Sequence, residues 1–266
     1  MLERFATVEG NRIRYLEEGN SGDTVVLLHG LGGMAERWSS VIPLFSKNYR
    51  VIAPDMIGYG RSDKPQTDYT PEFFKRMTLG LLDVVSPSGA YMVGTSLGGE
   101  IVAECASTKN HRIKKVVMVA PAGIMKKSTP ALDAYTVAAL YPTHESVRLA
   151  YSMMMGGDRK SSDAAVENFI SSMTRPNAKM VFISTLLGMK NSPPIKEKLG
   201  LINVPVLLIW GTQDRMIPVS FAKEFESSIP NCNLVLMEGC GHIPYDERPE
   251  EFSRYVLDFL SGNKPK

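Results

Sequence analysis

Six short apolar runs constrain the fold of this chain more than any other feature. Each is apolar almost without interruption, where a strand with one solvated face would alternate. The runs are Thr24–Leu28, Arg50–Ala53, Ala90–Val93, Lys115–Val119, Val206–Trp210 and Leu234–Met237. Strands that are apolar on both faces belong to a parallel sheet that helices cover on each side. The runs therefore predict an α/β fold with a mostly parallel sheet.

Helical segments and an N-terminal hairpin complete this pattern. Helical periodicity separates most of the runs, over residues 71–85, 98–108, 219–228 and 249–261. Ahead of the first run, Phe5–Val8 and Ile13–Leu16 flank a Glu-Gly-Asn turn and predict an antiparallel hairpin. Alternating strands and helices behind a hairpin edge predict a doubly wound sheet.

One long segment interrupts the alternation. More than eighty residues between the runs at 115–119 and 206–210 contain no convincing strand. A structureless loop of that length is uncommon in a compact domain. Residues 125–198 are therefore predicted to form an inserted helical lid between two parts of the core, 1–124 and 199–266. Seven of the fifteen methionines fall in this insertion, and flexible thioethers suit either an adaptable apolar cavity or ordinary helix packing.

Composition excludes several classes of function. Hydrophobic residues make up 44% of the 266 and charged residues 22%, as in average soluble proteins. The net charge is +2 without a basic block, so nucleic acid and anionic membranes are not expected partners. No apolar stretch is long enough to span a membrane and no signal-peptide pattern opens the chain, which predicts a cytoplasmic protein. A small-molecule substrate is the expected partner, and the oligomeric state stays open.

The sequence also lacks the motifs expected for disulfides, metals or organic cofactors. Three cysteines are too few and too oddly numbered for a disulfide framework. No cluster of metal ligands and no dinucleotide fingerprint occurs, since the Gly-Tyr-Gly at 58–60 lacks the strand and helix that such a fingerprint needs. The sequence therefore predicts neither a metal nor an organic cofactor.

The segment Gly94–Gly98 indicates a chemical function. It reads Gly-Thr-Ser-Leu-Gly between a predicted strand and a predicted helix, which is the context of a G-x-S-x-G nucleophile elbow. Glycines two positions before and after Ser96 let neighbouring backbones approach closely in a strained turn. The turn would expose the Ser96 hydroxyl at a helix N-terminus, where developing negative charge is favoured. A flexible glycine-rich turn is the alternative interpretation.

A serine nucleophile requires a base and an acid, and the chain has four histidines. His111 and His144 lie in polar stretches, and His29 is predicted to brace the loop after the first apolar run. His242 follows the last predicted strand, where a loop can reach across the sheet edge, and it is the predicted base. Asp214, just beyond the run at 206–210, is the predicted acid, with a turn-forming or helix-capping aspartate as the alternative.

An acyl-transfer site also needs two donors for the oxyanion. The backbone N–H of Leu97, directly after the serine, is one predicted donor. The His29–Gly33 loop is predicted to supply the other, from the N–H of Leu31. Serine, aspartate and histidine then follow the chain order expected for this type of elbow.

With these parts in order, the chain resembles the α/β-hydrolase fold family over essentially its whole length. The turn Asp55–Ser62 and the segments at 242–244 and 247–249 add to the resemblance. It implies that the serine, aspartate and histidine named above act as nucleophile, acid and base. Ser96 also sets the chain apart from the branches that use an aspartate nucleophile.

Within the serine branches, the chain is similar to carboxylesterases and to meta-cleavage product hydrolases, which split a carbon–carbon bond in ring-fission dienoates. The latter group places an arginine for the acid end of the substrate near Met173–Ser184, which implies that role for Arg175, with a solvated charge as the alternative. That group usually carries asparagine before the serine and tryptophan after the histidine, where this chain has Thr95 and Ile243.

The sequence therefore favours hydrolysis of a small to medium carboxylic ester through an acyl-enzyme. Carbon–carbon bond hydrolysis is the alternative within the same chemistry. A non-catalytic ligand receptor is the alternative from a different class, since one fold can host unrelated functions.

Overall fold

One sheet of eight strands runs through the centre of the molecule, in a computed structural model that describes residues 1–108 and 112–263. The strands are β1 Leu2–Val8, β2 Asn11–Glu18, β3 Thr24–Leu28, β4 Arg50–Pro54, β5 Ala90–Thr95, β6 Ile113–Val119, β7 Val206–Gly211 and β8 Cys232–Met237. Their spatial order is β1-β2-β4-β3-β5-β6-β7-β8. The pairs β1–β2 and β2–β4 are antiparallel, and all the others are parallel. The predicted mostly parallel sheet with a hairpin edge is confirmed.

The central strands are buried on both faces. Every residue of β3 and β7 is buried, whereas most residues of the outer strands β1 and β8 are partly or fully exposed. The register pairs Leu28 with Gly94 and Gly94 with Met118, which aligns the carboxyl ends of β3, β5 and β6. The loops that follow these strands therefore meet at one edge of the sheet, where ligands bind in open α/β sheets.

Eleven α-helices are present in the described part of the chain, and most of the longer ones cover the sheet or build the insertion. They are α1 Ile42–Phe45, α2 Pro71–Val85, α3 Leu97–Ala106, α4 Pro130–Leu140, α5 His144–Met154, α6 Asp163–Met173, α7 Ala178–Asn191, α8 Lys196–Leu199, α9 Ala222–Ser228, α10 Pro244–Glu247 and α11 Pro249–Ser261. Two 3₁₀ helices, Ala35–Trp38 and Val219–Phe221, precede α1 and α9. Layers of helix on both faces of this sheet confirm the doubly wound α/β class.

Two element boundaries differ from the sequence-based expectation. Strand β5 extends to Thr95 and helix α3 begins at Leu97, so Ser96 alone forms the corner. The helix predicted over 219–228 begins as a 3₁₀ turn, because the Phe221 N–H donates to the Pro218 carbonyl (3.1 Å) before α9 starts.

The long segment between β6 and β7 is helical. Helices α4 to α8 occupy it, and hydroxyl side chains cap three of them at their N-termini. The ring of Tyr135 in α4 lies 5.1 Å from that of Phe169 in α6 and 6.1 Å from that of Phe182 in α7. The insertion thus packs around an aromatic centre of its own, while its function as a lid with the boundaries 125–198 stays a prediction.

Within the described ranges, no helix combines the length and the apolarity that crossing a bilayer requires. The three cysteines are free thiols.

Candidate active site

Ser96 occupies a strained corner between β5 and α3. Its backbone has φ 54° and ψ −118°, a region that residues with a Cβ rarely adopt. Two hydrogen bonds fix this conformation: the Ser96 N–H donates to the Val119 carbonyl (2.9 Å), and the Ser96 carbonyl accepts from the Ala122 N–H (3.0 Å). Strain that the surrounding structure maintains in this way is typical of functional sites.

The flanking glycines are required by close backbone contacts. A Cβ on Gly94 would lie 2.2 Å from the Gly98 carbonyl oxygen. A Cβ on Gly98 would lie 2.3 Å from the Leu28 carbonyl oxygen, at the end of β3. Neither position therefore has room for a side chain larger than a hydrogen atom, which is the physical reason for the Gly-x-Ser-x-Gly spacing.

Asp214 and His242 are hydrogen-bonded to each other in a buried environment. The two loops that follow β7 and β8 bring His242 Nδ1 to 2.7 Å from Asp214 Oδ2. The other carboxylate oxygen of Asp214 accepts from the N–H groups of Met216 (2.8 Å) and Ile217 (2.9 Å), which fixes its orientation. Because the carboxylate accepts the Nδ1 proton, the lone pair of the neutral His242 ring is on Nε2.

The histidine loop is held from two directions. The His242 N–H donates to the Met154 carbonyl at the end of α5 (2.7 Å). The Glu247 carboxylate accepts from the N–H groups of Gly241 (2.9 Å) and Gly156 (2.8 Å), and burial raises the pKa of this carboxyl above its usual value. Glu247 entered the sequence analysis only as part of a family motif, and its position five residues after the histidine is the signal that could have identified its role.

One cavity joins the predicted nucleophile and the predicted base. It has a volume of about 710 Å³, and Ser96 and His242 both line it. The sheet side contributes Gly30, Leu31 and Leu97 to its wall. The insertion contributes apolar and polar residues in equal number, and its apolar and aromatic side chains include Leu132, Tyr135, Met154, Leu186 and Met189. Three of the seven methionines of the insertion line this cavity: Met125, Met154 and Met189.

His29 is fully buried and braces the loop after β3. Its Nε2 accepts from the Met56 N–H (3.0 Å), so its Nδ1 carries the proton and donates to the Gly30 carbonyl (2.7 Å). Burial lowers the pKa of His29, which keeps the ring neutral. The loop itself closes with a bond from the Gly33 N–H to the Gly30 carbonyl (3.1 Å). These contacts fit the structural role that the sequence analysis favoured for this histidine.

The two predicted oxyanion donors lie in the cavity wall on neighbouring elements. Leu97 is the first residue of α3, so its N–H is one of the four that have no acceptor within the helix. Leu31 lies in the braced loop, and its carbonyl accepts from the Tyr135 hydroxyl of the insertion (2.6 Å). The assignment of both amides as oxyanion donors stays a prediction.

Among the described residues, the structure adds no further sequence-based candidate to the cavity wall. His144 is exposed and pairs with Glu167 (2.5 Å), and His111 falls outside the described residues. Arg175 follows α6 and is not among the described residues that line the cavity. It lies close enough to Lys64 for the two positive charges to interact unfavourably. The structure thus gives no support for contact between Arg175 and a substrate bound at Ser96.

Three polar residues of the cavity wall escaped the sequence analysis as site residues. Arg37 lies in the 3₁₀ helix after the His29 loop, and Tyr245 lies three residues after His242. Thr95 drew attention in the sequence only as the residue that stands in place of an asparagine. All three are close in sequence to predicted site residues, which is the signal that could have indicated them. Among the described residues, no group of three or more His, Cys, Asp or Glu side chains is arranged to hold a metal ion.

Comparison with known proteins identifies the family. A model of the alpha/beta hydrolase fold matches residues 23–249. The chain belongs to the α/β-hydrolase fold family. It is therefore a hydrolase by family, with the serine-type elbow that the sequence analysis described.

The similar proteins of this family include enzymes and proteins without an assigned reaction. An uncharacterized hydrolase of Bacillus subtilis, YugF, is 30% identical over 97% of this chain and 97% of its own length. A 2-hydroxy-6-oxo-6-(2'-aminophenyl)hexa-2,4-dienoic acid hydrolase of Metapseudomonas resinovorans is 28% identical over 98% of this chain and 91% of its own. The crystal structure of a serine hydrolase involved in carbazole degradation superposes with a TM-score of 0.87 at 27% identity, covering 98% of both chains.

Proposed function

We propose that this protein is a serine hydrolase that cleaves small to medium carboxylic esters through an acyl-enzyme. One observation carries the proposal. Asp214 orients His242 through a 2.7 Å hydrogen bond to Nδ1, and His242 lines the same cavity as the strained Ser96. A buried, oriented imidazole that shares a cavity with a serine at an elbow supports activation of that hydroxyl as a nucleophile.

The proposed reaction has two acyl-transfer steps. The Ser96 Oγ attacks the ester carbonyl as His242 Nε2 takes its proton, and the N–H groups of Leu31 and Leu97 bind the oxyanion. The tetrahedral intermediate then collapses, and the leaving alcohol takes the proton from His242. Water repeats the sequence on the acyl-enzyme and releases the acid, while Asp214 stabilises the imidazolium at each stage. The reaction requires no metal or organic cofactor.

Residues 125–198 are proposed to act as a lid over this site. The support lies in two hydrogen bonds to the machinery of the proposed reaction. The Tyr135 hydroxyl donates to the Leu31 carbonyl, and the Met154 carbonyl accepts from the His242 N–H. A lid that touches both the oxyanion loop and the base can exclude water from the cavity while the acyl-enzyme forms.

Carbon–carbon bond hydrolysis is the second candidate. Its support is the 28% identity to the dienoic acid hydrolase of Metapseudomonas resinovorans, which extends over nearly the whole chain. The same serine, histidine and aspartate would serve both reactions. Ester hydrolysis is preferred because Thr95 and Ile243 stand where the carbon–carbon hydrolases usually carry substrate-orienting asparagine and tryptophan.

Hydrolysis of p-nitrophenyl butyrate tests the proposal. We expect turnover in the wild-type protein and a loss of kcat of about 10⁶-fold in Ser96→Ala, the scale set by removal of a serine nucleophile. Ser227→Ala is the matched control, because Ser227 is exposed on α9, and its kcat should equal that of the wild type. A ring-fission dienoate offered in parallel decides between the two bond types. Ligand binding without turnover of either probe would instead indicate a receptor and contradict the proposal.

A further inference from the structure

Arg37 places a cation in the cavity wall without a carboxylate partner. Its Nη1 donates to the Tyr151 hydroxyl (3.2 Å), and its guanidinium carbon lies 5.0 Å from the centroid of that ring. No aspartate or glutamate of the described residues forms an ion pair with it. The adjacent Glu36 instead pairs with Arg14 (2.7 Å). The positive charge of Arg37 therefore remains available to an anion in the cavity.

The aromatic side chains around Arg37 do not neutralise its charge. Tyr135, Tyr151 and Tyr245 are the nearest aromatic groups, and burial raises the pKa of each phenol above its usual value of 10.0. All three are neutral hydroxyls at neutral pH. The charge of Asp246 also acts on Arg37, without forming an ion pair with it. A largely buried guanidinium with five N–H donors and no ion-pair partner among the described residues is costly to desolvate, and a bound anion offsets that cost.

A second polar group lies nearby, directly before Ser96 in the chain. Thr95 is 2% exposed and lines the cavity, and its buried Oγ1 forms no close hydrogen bond, although the Tyr245 hydroxyl is near it. The Tyr245 hydroxyl lies beside both Thr95 and Arg37 and connects them along the wall. A hydroxyl, a phenol and a guanidinium along one stretch of wall are donors of the kinds that bind a carboxylate.

The rest of the cavity has the same sign of charge. Three further lining residues are basic and one is acidic: Lys126, Lys127, Lys190 and Asp133. The lysines are exposed, so solvent screens their charges more strongly than that of Arg37. A cavity lined by several cations raises the local concentration of anions.

We propose that Arg37, Thr95 and Tyr245 form a subsite for a free carboxylate on the substrate. Since Thr95 directly precedes the nucleophile, that carboxylate lies a few atoms from the reacting carbonyl. The substrate class is then the half-ester of a short dicarboxylic acid, with one carboxyl esterified and the other ionised. This assignment of substrate rests on the proposed serine hydrolase function, while the anion subsite itself does not.

Two matched esters measure the preference for a substrate with a free carboxylate. Mono-p-nitrophenyl glutarate carries the carboxylate, and p-nitrophenyl butyrate lacks it. We expect the wild-type protein to favour the glutarate in kcat/KM, and Arg37→Met to lower the glutarate-to-butyrate ratio of kcat/KM by about 10- to 100-fold, as loss of a hydrogen bond to a charged group implies. Arg37→Lys should fall between the two, because lysine keeps the charge without the planar fork. Thr95→Val should lower the same ratio by a smaller factor.

Direct binding separates the two proposals. Glutarate is titrated into Ser96→Ala by calorimetry, with and without Arg37→Met, and Arg254→Met serves as a control arginine on the exposed face of α11. Arg37-dependent binding without ester turnover would overturn the hydrolase function and keep the subsite. Ser96-dependent turnover with a ratio that Arg37→Met leaves unchanged would overturn the subsite and keep the function. Absence of both turnover and glutarate binding would overturn both.

Discussion

The two sides of the cavity, one built by the sheet and one by the inserted helices, are held in different ways. On the sheet side, backbone atoms fix the positions: Gly94 and Gly98 leave no room for a Cβ, and Ser96 is bonded through both its N–H and its carbonyl. On the insertion side, aromatic rings such as those of Tyr135 and Phe182 pack against one another. The first arrangement permits almost no substitution, whereas the second can be repacked with side chains of similar volume.

This difference separates catalysis from selectivity. Hydrogen bonds to backbone atoms hold a group in place to within a few tenths of an ångström. Groups that must contact reacting atoms need this precision. Packed side chains give a shape that sequence changes can adjust. We therefore expect substitutions on the sheet side to abolish turnover, and substitutions on the insertion side to change its rate only severalfold.

After removal of the nucleophile itself, the largest expected effect comes from Asp214→Asn on the sheet side. An asparagine amide can donate to His242 Nδ1, which stabilises the wrong tautomer and removes the charge that balances the imidazolium. We expect kcat toward p-nitrophenyl butyrate to fall by about 10⁴-fold. Asp158→Asn, an exposed position in the insertion, should leave kcat at the wild-type value. A loss of less than tenfold at Asp214, with the variant folded by circular dichroism, would contradict its assigned role.

Glu100 makes the stability of the sheet side depend on pH. It is buried on α3, and burial first, then repulsion from Glu104, raises its pKa from 4.5 to about 8, against the attraction of Lys198. One of its carboxylate oxygens has no hydrogen-bond partner. Because the folded protein keeps the proton that the unfolded chain releases above pH 4.5, the free energy of unfolding should fall as pH rises from 4.5 to 8.

The variant Glu100→Gln cannot ionise and should remove this dependence. The wild-type protein should lose a few kcal/mol relative to the variant between pH 4.5 and 8, and the difference should stay constant above that window. Urea unfolding at pH 5, 7 and 9 measures it. Glu145→Gln, at an exposed position on α5, is the control and should follow the wild type at each pH. Parallel pH curves for Glu100→Gln and the wild type would show that Glu100 does not titrate in this range.

Gly98→Ala tests the backbone contact beneath the elbow. Its Cβ would lie 2.3 Å from the Leu28 carbonyl oxygen, so β3 and α3 must separate. We expect a loss of about 1–3 kcal/mol in stability, the range for overpacked sites, together with loss of esterase activity. Gly200→Ala is the matched control, because the nearest atom to its Cβ lies at 3.9 Å. Equal melting temperatures and activities for the two variants would show that the contact relaxes at no cost.

The same division between the two sides explains what the sequence could predict. The strands, the elbow and the loops carrying Asp214 and His242 follow from local patterns, since backbone geometry imposes particular residues at particular spacings. For Arg37 the sequence offers only its closeness to the His29 loop, because its partner Tyr151 lies 114 residues away and only tertiary packing joins them. Arg175 was placed by resemblance to one branch of the family, and the path of the insertion, which periodicity does not determine, leaves it outside the cavity wall.

The smallest expected effect comes from Tyr135→Phe, which removes a hydrogen bond that joins the two sides. The Tyr135 hydroxyl donates to the Leu31 carbonyl at 2.6 Å, and the Leu31 amide is a proposed oxyanion donor. We expect a loss of about 1 kcal/mol in stability and a reduction of about fivefold in kcat, with KM nearly constant. Tyr141→Phe, directly after the same helix and 71% exposed, should change neither quantity. If stability falls and kcat does not, the insertion shapes the cavity without positioning the oxyanion loop, and the two sides act independently.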